Sequence, residues 1–352
     1  MNSLNETTTA APAAAVNAGQ RPIALWLLAC CALVFAMVVL GGVTRLTGSG
    51  LSIVEWEPVK GALPPLDQAD WQELFAEYQR TPEYQHVNRH MSLDDFKGIF
   101  WLEYLHRLLG RLIGVVFLLP FLYFLIRRRI TAVLAPKLAA VFILGGLQGA
   151  LGWYMVKSGL IDDPHVSQYR LTAHLLLAVA LYGYMLWTAL GLLRSPGAGA
   201  ALKGGLKAGV YALVGLILLT MAAGGFVAGL KAGKIYNTFP LMGDYFTPPN
   251  LFALDPWWLN FFENPATAQL DHRLLAMAIL LIVVLLWFAA RRSTAAHSRR
   301  AGFHWLLAVA VAQVALGIAT LLQSVPVALA AAHQAGALVL LTVALALARR
   351  AR

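Results

Sequence analysis

The sequence predicts an all-α polytopic membrane protein whose eight transmembrane helices form two pseudo-symmetric four-helix bundles. Composition is the first of three observations behind this prediction. Of 352 residues, 59% are hydrophobic and 12% are charged, whereas an ordinary soluble domain has about 45–50% apolar and about 25% charged residues. The other two observations are eight long apolar stretches and an internal repeat. This composition excludes a soluble enzyme, a disordered chain and a disulfide scaffold.

A helix that crosses the hydrocarbon core of a bilayer needs about 20 mostly apolar residues. Eight stretches meet this requirement, and we number them as spans in chain order. Their approximate ranges are 23–43, 104–126, 138–156, 170–193, 208–229, 270–290, 303–322 and 327–348. Span 1 is too long for the core of a signal peptide and no small-residue cleavage site follows it, so we expect a retained anchor.

The segments outside the spans differ in character. Residues 1–21 are polar and alanine-rich, which indicates a disordered cytoplasmic tail. Two long loops, about 46–100 and about 230–268, are rich in Pro, Trp, Tyr and Asn and predict ordered caps lying on the membrane surface. In the first loop the apolar residues of Trp71–Tyr78 have helical spacing, which predicts a short interfacial helix.

The charges orient the spans. The termini and the even-numbered connections hold 15 basic residues and one acid, whereas the other side holds 12 basic and 16 acidic residues. Because basic residues accumulate on the cytoplasmic side of membrane proteins, we expect both termini in the cytoplasm and the chain in a bacterial inner membrane. The net charge of +10 combines +14 inside with −4 outside, and it does not indicate binding to nucleic acid.

An internal repeat divides the chain into two halves of four spans each, with parallel topology. Four sequence marks recur in the same order in both halves. They are Gly41-Gly42 and Gly224-Gly225, His106-Arg107 and His272-Arg273, Gln148 and Gln313 within Gln-x-Ala-Leu-Gly, and His174 and His333. The predicted units are an N-terminal half at 22–195, a cytoplasmic linker at 196–207 and a C-terminal half at 208–352.

Four of the nine histidines mark candidate metal sites, because each lies within an even-numbered span. They are His106, His174, His272 and His333. An ionisable group within a span is costly and usually marks a functional site. Alternate helices of an up-down bundle can face each other across its core, so each half brings two imidazoles together, as in the axial ligation of a six-coordinate b-type haem. Zinc fits less well, because two ligands per half are too few for a closed site.

Charged residues near the histidines differ between the halves. Glu103 lies three residues before His106 and shares its helix face, whereas Gln269 precedes the equivalent histidine of the other half. Glu103 is our candidate catalytic residue, as a general base or as a group that stabilises positive charge, and an ion pair with Arg107 is the alternative. Arg107 and Arg273 either neutralise haem propionates or snorkel to the surface. The asymmetry favours a reaction site in the N-terminal half and an electron-transfer or structural haem in the C-terminal half.

Stretches from both halves carry a resemblance to a known family. They are Gly41–Ser52, Glu55–Pro58, Gly61–Pro65, Asp94–Arg107, Gln148–Leu160, Ala232–Gly243 and Phe262–Asn264. Over residues 22–348 the sequence resembles the haem A synthase family of alphaproteobacteria and mitochondria. Some members carry a cysteine pair in the first outer loop, whereas the two cysteines here are Cys30 and Cys31 within span 1.

The resemblance implies an oxidoreductase that converts haem O to haem A by oxidising the methyl group at position 8 of the porphyrin to a formyl group. It implies that His272 and His333 ligate the iron of a haem b cofactor (iron protoporphyrin IX). It also implies that His106 and His174 line the site of the haem O substrate, where Glu103 is the required acid. The implied partners are haem O synthase, an electron donor and the lipid bilayer, and the sequence is compatible with a homo-oligomer.

Two other classes of protein remain open. One is a di-haem b-type electron carrier that exchanges electrons with quinone, and the other is a transporter with two related halves and no haem. Glu103 beside only one histidine pair favours the synthase over the carrier. Four histidines at matching positions of the repeat disfavour the transporter.

Overall fold

The computed structural model describes residues 11–55, 60–160, 164–194, 202–294 and 296–351. This part of the chain forms eleven α-helices and contains no β-strand. The helices are α1 (Ala11–Leu46), α2 (Gln68–Gln79), α3 (Pro82–His86), α4 (Leu93–Ile126), α5 (Ala135–Gly159), α6 (Gln168–Leu192), α7 (Gly204–Gly229), α8 (Asn260–Glu263), α9 (Pro265–Arg292), α10 (Arg300–Leu322) and α11 (Val327–Arg350). Within the described ranges, eight helices are long and apolar enough to cross a membrane: α1, α4, α5, α6, α7, α9, α10 and α11. The prediction of an all-α, multi-pass membrane protein is confirmed.

Two membrane helices begin earlier than the sequence predicts. Helix α1 begins at Ala11, so residues 11–21 are helical rather than disordered, and the reason is that alanine has the highest helix propensity of all residues. The disorder expected of residues 1–10 lies outside the described residues. Helix α4 begins at Leu93 instead of near residue 104, because Ser92 and Asp95 form a capping box at its N-terminus.

The four membrane helices of each half pack around one another as a closed bundle. In the N-terminal half, α1 and α5 each pack against α4 and α6. In the C-terminal half, α7 and α10 each pack against α9 and α11. Helices α1, α6, α7 and α11 also pack across the boundary between the halves, and one continuous apolar core runs through both. These are the contacts expected of two adjoining four-helix bundles, and their pseudo-symmetry stays a prediction of the repeat.

Helix α2 lies outside the spans and packs on the outer extension of α4. The side chain of Asp67 caps its N-terminus. The ring centroid of Trp71 lies 4.9 Å from that of Phe100, and Tyr78 stacks on Phe96 at 5.1 Å. The short helix predicted from its apolar spacing is therefore present, but its apolar face contacts α4 where we expected the membrane surface. The reason is the capping box, which extends α4 outward and supplies an apolar partner.

Candidate haem sites at the paired histidines

The histidine pair of the C-terminal half lies between α9 and α11. The ring centroids of His272 and His333 are 6.3 Å apart and the ring planes are inclined by 82°. Nδ1 of His272 lies 3.1 Å from the carbonyl oxygen of Thr220 on α7. A neutral imidazole that donates its Nδ1–H to a carbonyl keeps the lone pair of Nε2 available for a metal ion. The contact with Thr220 is compatible with a metal-ligand role for His272.

Each of the four span histidines packs against a glycine of the preceding membrane helix. A β-carbon built on any of these glycines would lie 2.7–3.1 Å from Cε1 of the facing imidazole. Three of these distances are below 3.0 Å, which real β-carbons essentially never show, and the fourth, 3.1 Å at Gly224, would require the ring to shift slightly. The four pairs are Gly41 and His106, Gly152 and His174, Gly224 and His272, and Gly317 and His333. The repeated glycines therefore make room for the imidazole rings.

Two glutamines fix the helix turns that carry the second histidine of each half. Nε2 of Gln148 donates to the carbonyl oxygen of His174 at 3.0 Å, and Nε2 of Gln313 donates to that of His333 at 2.9 Å. Gln148 Nε2 also lies 3.3 Å from Nε2 of His174. The repeat marked both glutamines, but their role in holding the backbone of the neighbouring helix requires the tertiary structure.

The histidine pair of the N-terminal half lies between α4 and α6. Both helices pack against the same two neighbours, α1 and α5, so His106 and His174 belong to one bundle. Nδ1 of each ring is buried and has no hydrogen-bond partner among the described residues. Nδ1 of His333 in the C-terminal half is likewise buried and without a partner among the described residues, so both halves share this feature. The structure thus brings together the two histidines that the sequence assigned to the substrate site.

Glu103 is buried beside this pair, with 3% of its surface exposed. Its Oε2 accepts hydrogen bonds from the backbone N–H of Ser52 at 2.7 Å, the hydroxyl of Ser52 at 2.7 Å and the backbone N–H of Ile53 at 3.0 Å. Its Oε1 accepts from Nη2 and Nε of Arg107 at 2.7 and 3.1 Å. Five donors, two of them cationic, stabilise an ionised carboxylate. The ion pair with Arg107 that we weighed as an alternative is present.

Arg107 also binds the outer loop that follows α1. Its Nη2 donates to the carbonyl oxygen of Ile53 at 2.8 Å and its Nη1 donates to that of Glu55 at 3.1 Å. The contacts of this guanidinium in the structure are thus to Glu103 and the loop backbone, whereas the sequence suggested haem propionates or water.

The C-terminal half repeats this arrangement with a neutral residue. Nε2 of Gln269 donates to the carbonyl oxygens of Ala232 at 2.9 Å and Tyr236 at 3.2 Å. Arg273 donates to the carbonyl oxygens of Tyr236, Thr238 and Leu241 at 3.0–3.1 Å and to Oε1 of Gln269 at 3.3 Å. In the sequence, Gln269 is notable only because it stands where the other half has an acid. In the structure its side chain binds the loop that contains Ala232 and Tyr236.

The donor set fits axial ligation of a haem iron. A metal–imidazole bond is about 2 Å long, so ring centroids 6.3 Å apart leave room for one metal ion between His272 and His333. No group of three or more His, Cys, Asp or Glu side chains that could hold a metal ion occurs in the described ranges. Cys30 and Cys31 are buried, free thiols in α1.

The fold and these sites define a class: polytopic helical membrane proteins in which paired histidines of alternate membrane helices form haem-sized sites. A family model described as "Cytochrome oxidase assembly protein", COX15-CtaA, matches residues 24–345. The "Heme A synthase" of Nitrosospira multiformis is 56% identical over 329 residues, which cover 93% of this chain and 92% of that protein. "Heme A synthase COX15" of Arabidopsis thaliana is 46% identical over 339 residues, which cover 93% of this chain and 74% of that protein. The chain belongs to the COX15-CtaA family of haem A synthases.

Proposed function

We propose that this chain oxidises haem O to haem A, turning the methyl group at position 8 of the porphyrin into a formyl group. The observation that carries the proposal is the similarity to haem A synthases over nearly the whole chain, which includes all four span histidines and Glu103. The Glu103–Arg107 ion pair supports a reaction site in the N-terminal half, because the equivalent position of the C-terminal half holds the neutral Gln269.

His272 and His333 hold the cofactor in the C-terminal half. Haem b, when bound there, supplies one-electron redox chemistry. His272 and His333 would supply the two imidazoles that hold the haem. The carbonyl oxygen of Thr220 accepts the hydrogen bond of Nδ1 of His272, which would leave Nε2 for the iron, and Gln313 fixes the turn that carries His333. The glycines beside both rings leave the space that the imidazoles need.

The substrate site lies between His106 and His174, and Glu103 supplies its fixed negative charge. Because five donors already bind this carboxylate, we assign it stabilisation of developing positive charge rather than uptake of a proton. Arg107 and Arg273 remain our candidates for the haem propionates. Nε of Arg273 is buried and has no hydrogen-bond partner among the described residues, so it is a donor left for such a group.

We propose that the chain spans the inner membrane of a bacterium with both termini in the cytoplasm and both histidine pairs toward the outer side, as the distribution of basic residues indicates. Haem O then enters from the bilayer, supplied by haem O synthase. An electron donor partner and a homo-oligomeric state complete the proposal.

The test is production of haem A in a host that makes haem O but lacks its own haem A synthase. Pigment extracted from cells that express the chain should contain haem A, whereas cells with the empty vector should contain only haem O. A membrane-inserted chain with a b-type absorption spectrum and no haem A would overturn the proposal and favour the di-haem electron carrier. A chain from a haem-sufficient host that shows no Soret band would refute every haem assignment.

A further inference from the structure

We propose that Gln269 and Arg273 are positioning residues, which hold the outer loop Ala232–Leu241 in place over the C-terminal histidine pair. Glu103 and Arg107 hold the loop Ser52–Glu55 over the N-terminal pair in the same manner. We call each pair with its loop contacts a loop clasp. The effect on bound haem rests on the proposed function, whereas the clasp itself is a property of the protein alone.

The two clasps have the same register relative to the histidines. Glu103 lies three residues before His106, and Arg107 follows that histidine directly. Gln269 and Arg273 have the same offsets from His272. Side chains four residues apart lie on one helix face, and in both halves the arginine donates to the side-chain oxygen of the residue four positions earlier. One helix turn therefore carries both the histidine and the loop contacts.

The first half has a carboxylate at this position and the second half has an amide. The difference matches the hydrogen-bonding groups that each loop presents, which are donors in the first half and acceptors in the second. The first loop presents donors to Glu103: two backbone N–H groups and a hydroxyl. The second loop presents the carbonyl oxygens of Ala232 and Tyr236 to Gln269. An ionised carboxylate only accepts hydrogen bonds, whereas an amide NH₂ donates two. Each residue type is the one that satisfies its own loop.

The surroundings of Gln269 distinguish the clasp from an ordinary polar helix end. Gln269 is 3% exposed, and Ala232, which accepts its hydrogen bond, is fully buried. The short helical turn Ala232–Lys234 packs against both α7 and α9. Because buried carbonyls without donors are costly, loss of the amide would release the loop from the two helices that carry Gly224 and His272.

The first experiment measures amide hydrogen exchange of residues 231–243 in the purified full chain, made both in haem-sufficient and in haem-deficient cells. Gln269→Glu replaces the donor by an acceptor that faces two carbonyls. We expect exchange in this loop to become at least about tenfold faster in both preparations, as for one or two lost buried hydrogen bonds. Asp271→Asn changes a charge on the same helix and is the control, with unchanged exchange expected.

Two further variants keep the proposal falsifiable if Gln269→Glu fails to fold. Arg273→Lys keeps the charge but loses the planar fork that reaches three carbonyls, so the same loop should exchange faster. Glu103→Gln should accelerate exchange of residues 49–55 and leave residues 231–243 unchanged. Unchanged exchange of the second loop in both Gln269→Glu and Arg273→Lys would overturn the clasp.

The second experiment measures the reduction potential of the haem in the C-terminal half. If the loop over a haem site loosens, the haem becomes more exposed to water. The exposure of a haem to water is one determinant of its reduction potential. Gln269→Glu and the uncharged Gln269→Ala should both shift the potential while the ligation spectrum persists, and Gly215→Ala, whose new β-carbon meets no atom within 4 Å, should not. A wild-type chain that binds no haem refutes the proposed function, and the exchange experiment on haem-free protein still decides the clasp. A Gln269→Glu haem with wild-type potential refutes the positioning role at that site.

Discussion

At the scale of single residues, the repeated glycines gain a specific role. The sequence marks Gly41 and Gly224 suggest close packing between helices, and the structure places an imidazole ring against each of them. The same holds for Gly152 and Gly317, which end the two Gln-x-Ala-Leu-Gly marks. The repeat marks all four positions, but a glycine by itself does not reveal which side chain fills the space beside it.

Gly317→Ala should abolish the b-type spectrum of the C-terminal half, because the new β-carbon would lie 2.8 Å from Cε1 of His333 and displace the ring. Alanine favours a helix over glycine by about 1 kcal/mol, so lost helicity would not explain the loss. Absorption spectroscopy and circular dichroism measure the two properties. Gly215→Ala is the matched control, since no atom lies within 4 Å of its built β-carbon. An intact spectrum in Gly317→Ala would contradict the proposed packing.

His272→Ala and His333→Ala should each remove the six-coordinate b-type spectrum, because each substitution deletes one axial imidazole. Redox difference spectra of the purified variants measure the effect. His304→Ala is the control, because His304 contacts Trp287 at the other end of the membrane helices. A variant at either position that retains a six-coordinate spectrum would show that the ligand assignment is wrong.

Glu103→Ala should lower the conversion of haem O strongly and leave the C-terminal haem bound. The substitution removes five hydrogen bonds, of which those from Arg107 are charge-assisted and are worth about 1.5–3 kcal/mol each. The ratio of haem A to haem O in extracted pigment measures conversion, and the absorption spectrum measures the retained haem. Loss of the C-terminal haem would mean that the two halves are not independent.

At the scale of elements, the start of α4 is determined by its N-terminal cap rather than by the periodicity of its apolar residues. The capping box of Ser92 and Asp95 extends α4 outward by about three turns beyond the predicted span. Glu103 therefore sits within a rigid helix rather than at its first turn, and the extension supports α2 through the cluster of Tyr78, Phe96 and Phe100. The Ser-x-x-Asp pattern that marks the start of a helix is present in the sequence. The predicted span is based on apolar residues alone, however, and these no longer dominate where the helix extends beyond the bilayer.

The outer elements α2 and α3 should lose stability as pH rises from about 4.5 to about 7. Glu83 on α3 is 8% exposed. Burial, followed by the negative charge of Glu103, raises its pKa to about 7, while a hydrogen bond from the hydroxyl of Tyr78 opposes the shift. The folded state therefore holds this proton up to a higher pH than the unfolded state, and the stability contribution is lost through that window, on the order of 3 kcal/mol.

Hydrogen exchange of residues 68–86 across this pH range, corrected for intrinsic rates, measures the effect. Glu83→Gln keeps the shape of the side chain and removes its titration, so its exchange should show a much flatter dependence on pH. Glu73→Gln on α2 is the control, because Glu73 is exposed, and it should keep the wild-type dependence. The same steep dependence in Glu83→Gln would show that another group is responsible.

At the scale of the whole molecule, the two halves meet through α1, α6, α7 and α11. One link is the side chain of Gln334 on α11, whose Nε2 donates to the carbonyl oxygen of Val38 on α1 at 2.7 Å. Another is Gly225 on α7, where a β-carbon would lie 2.7 Å from Oγ1 of Thr172 on α6. Gln334 and Thr172 each lie within two residues of a span histidine. The packing between the halves is therefore continuous with the candidate haem sites.

The sequence by itself determined the class of the molecule and the identity of its key side chains. Length and apolarity suffice to count membrane helices, because the bilayer imposes one length on every span. The repeat suffices to find the four histidines, since an ionisable group in an apolar span stands out against its surroundings. The resemblance to haem A synthases then supplied the reaction, and the family match agrees with it.

Only the tertiary structure decided what those side chains contact. Arg107, Gln269 and Arg273 bind loop backbone, and no pattern along the chain predicts this, because their partners lie 32 to 54 residues away. The polarity of a loop at the point where it meets a helix depends on which backbone groups turn inward. That is set by packing, and it determines whether a carboxylate or an amide is the residue that fits beside each histidine.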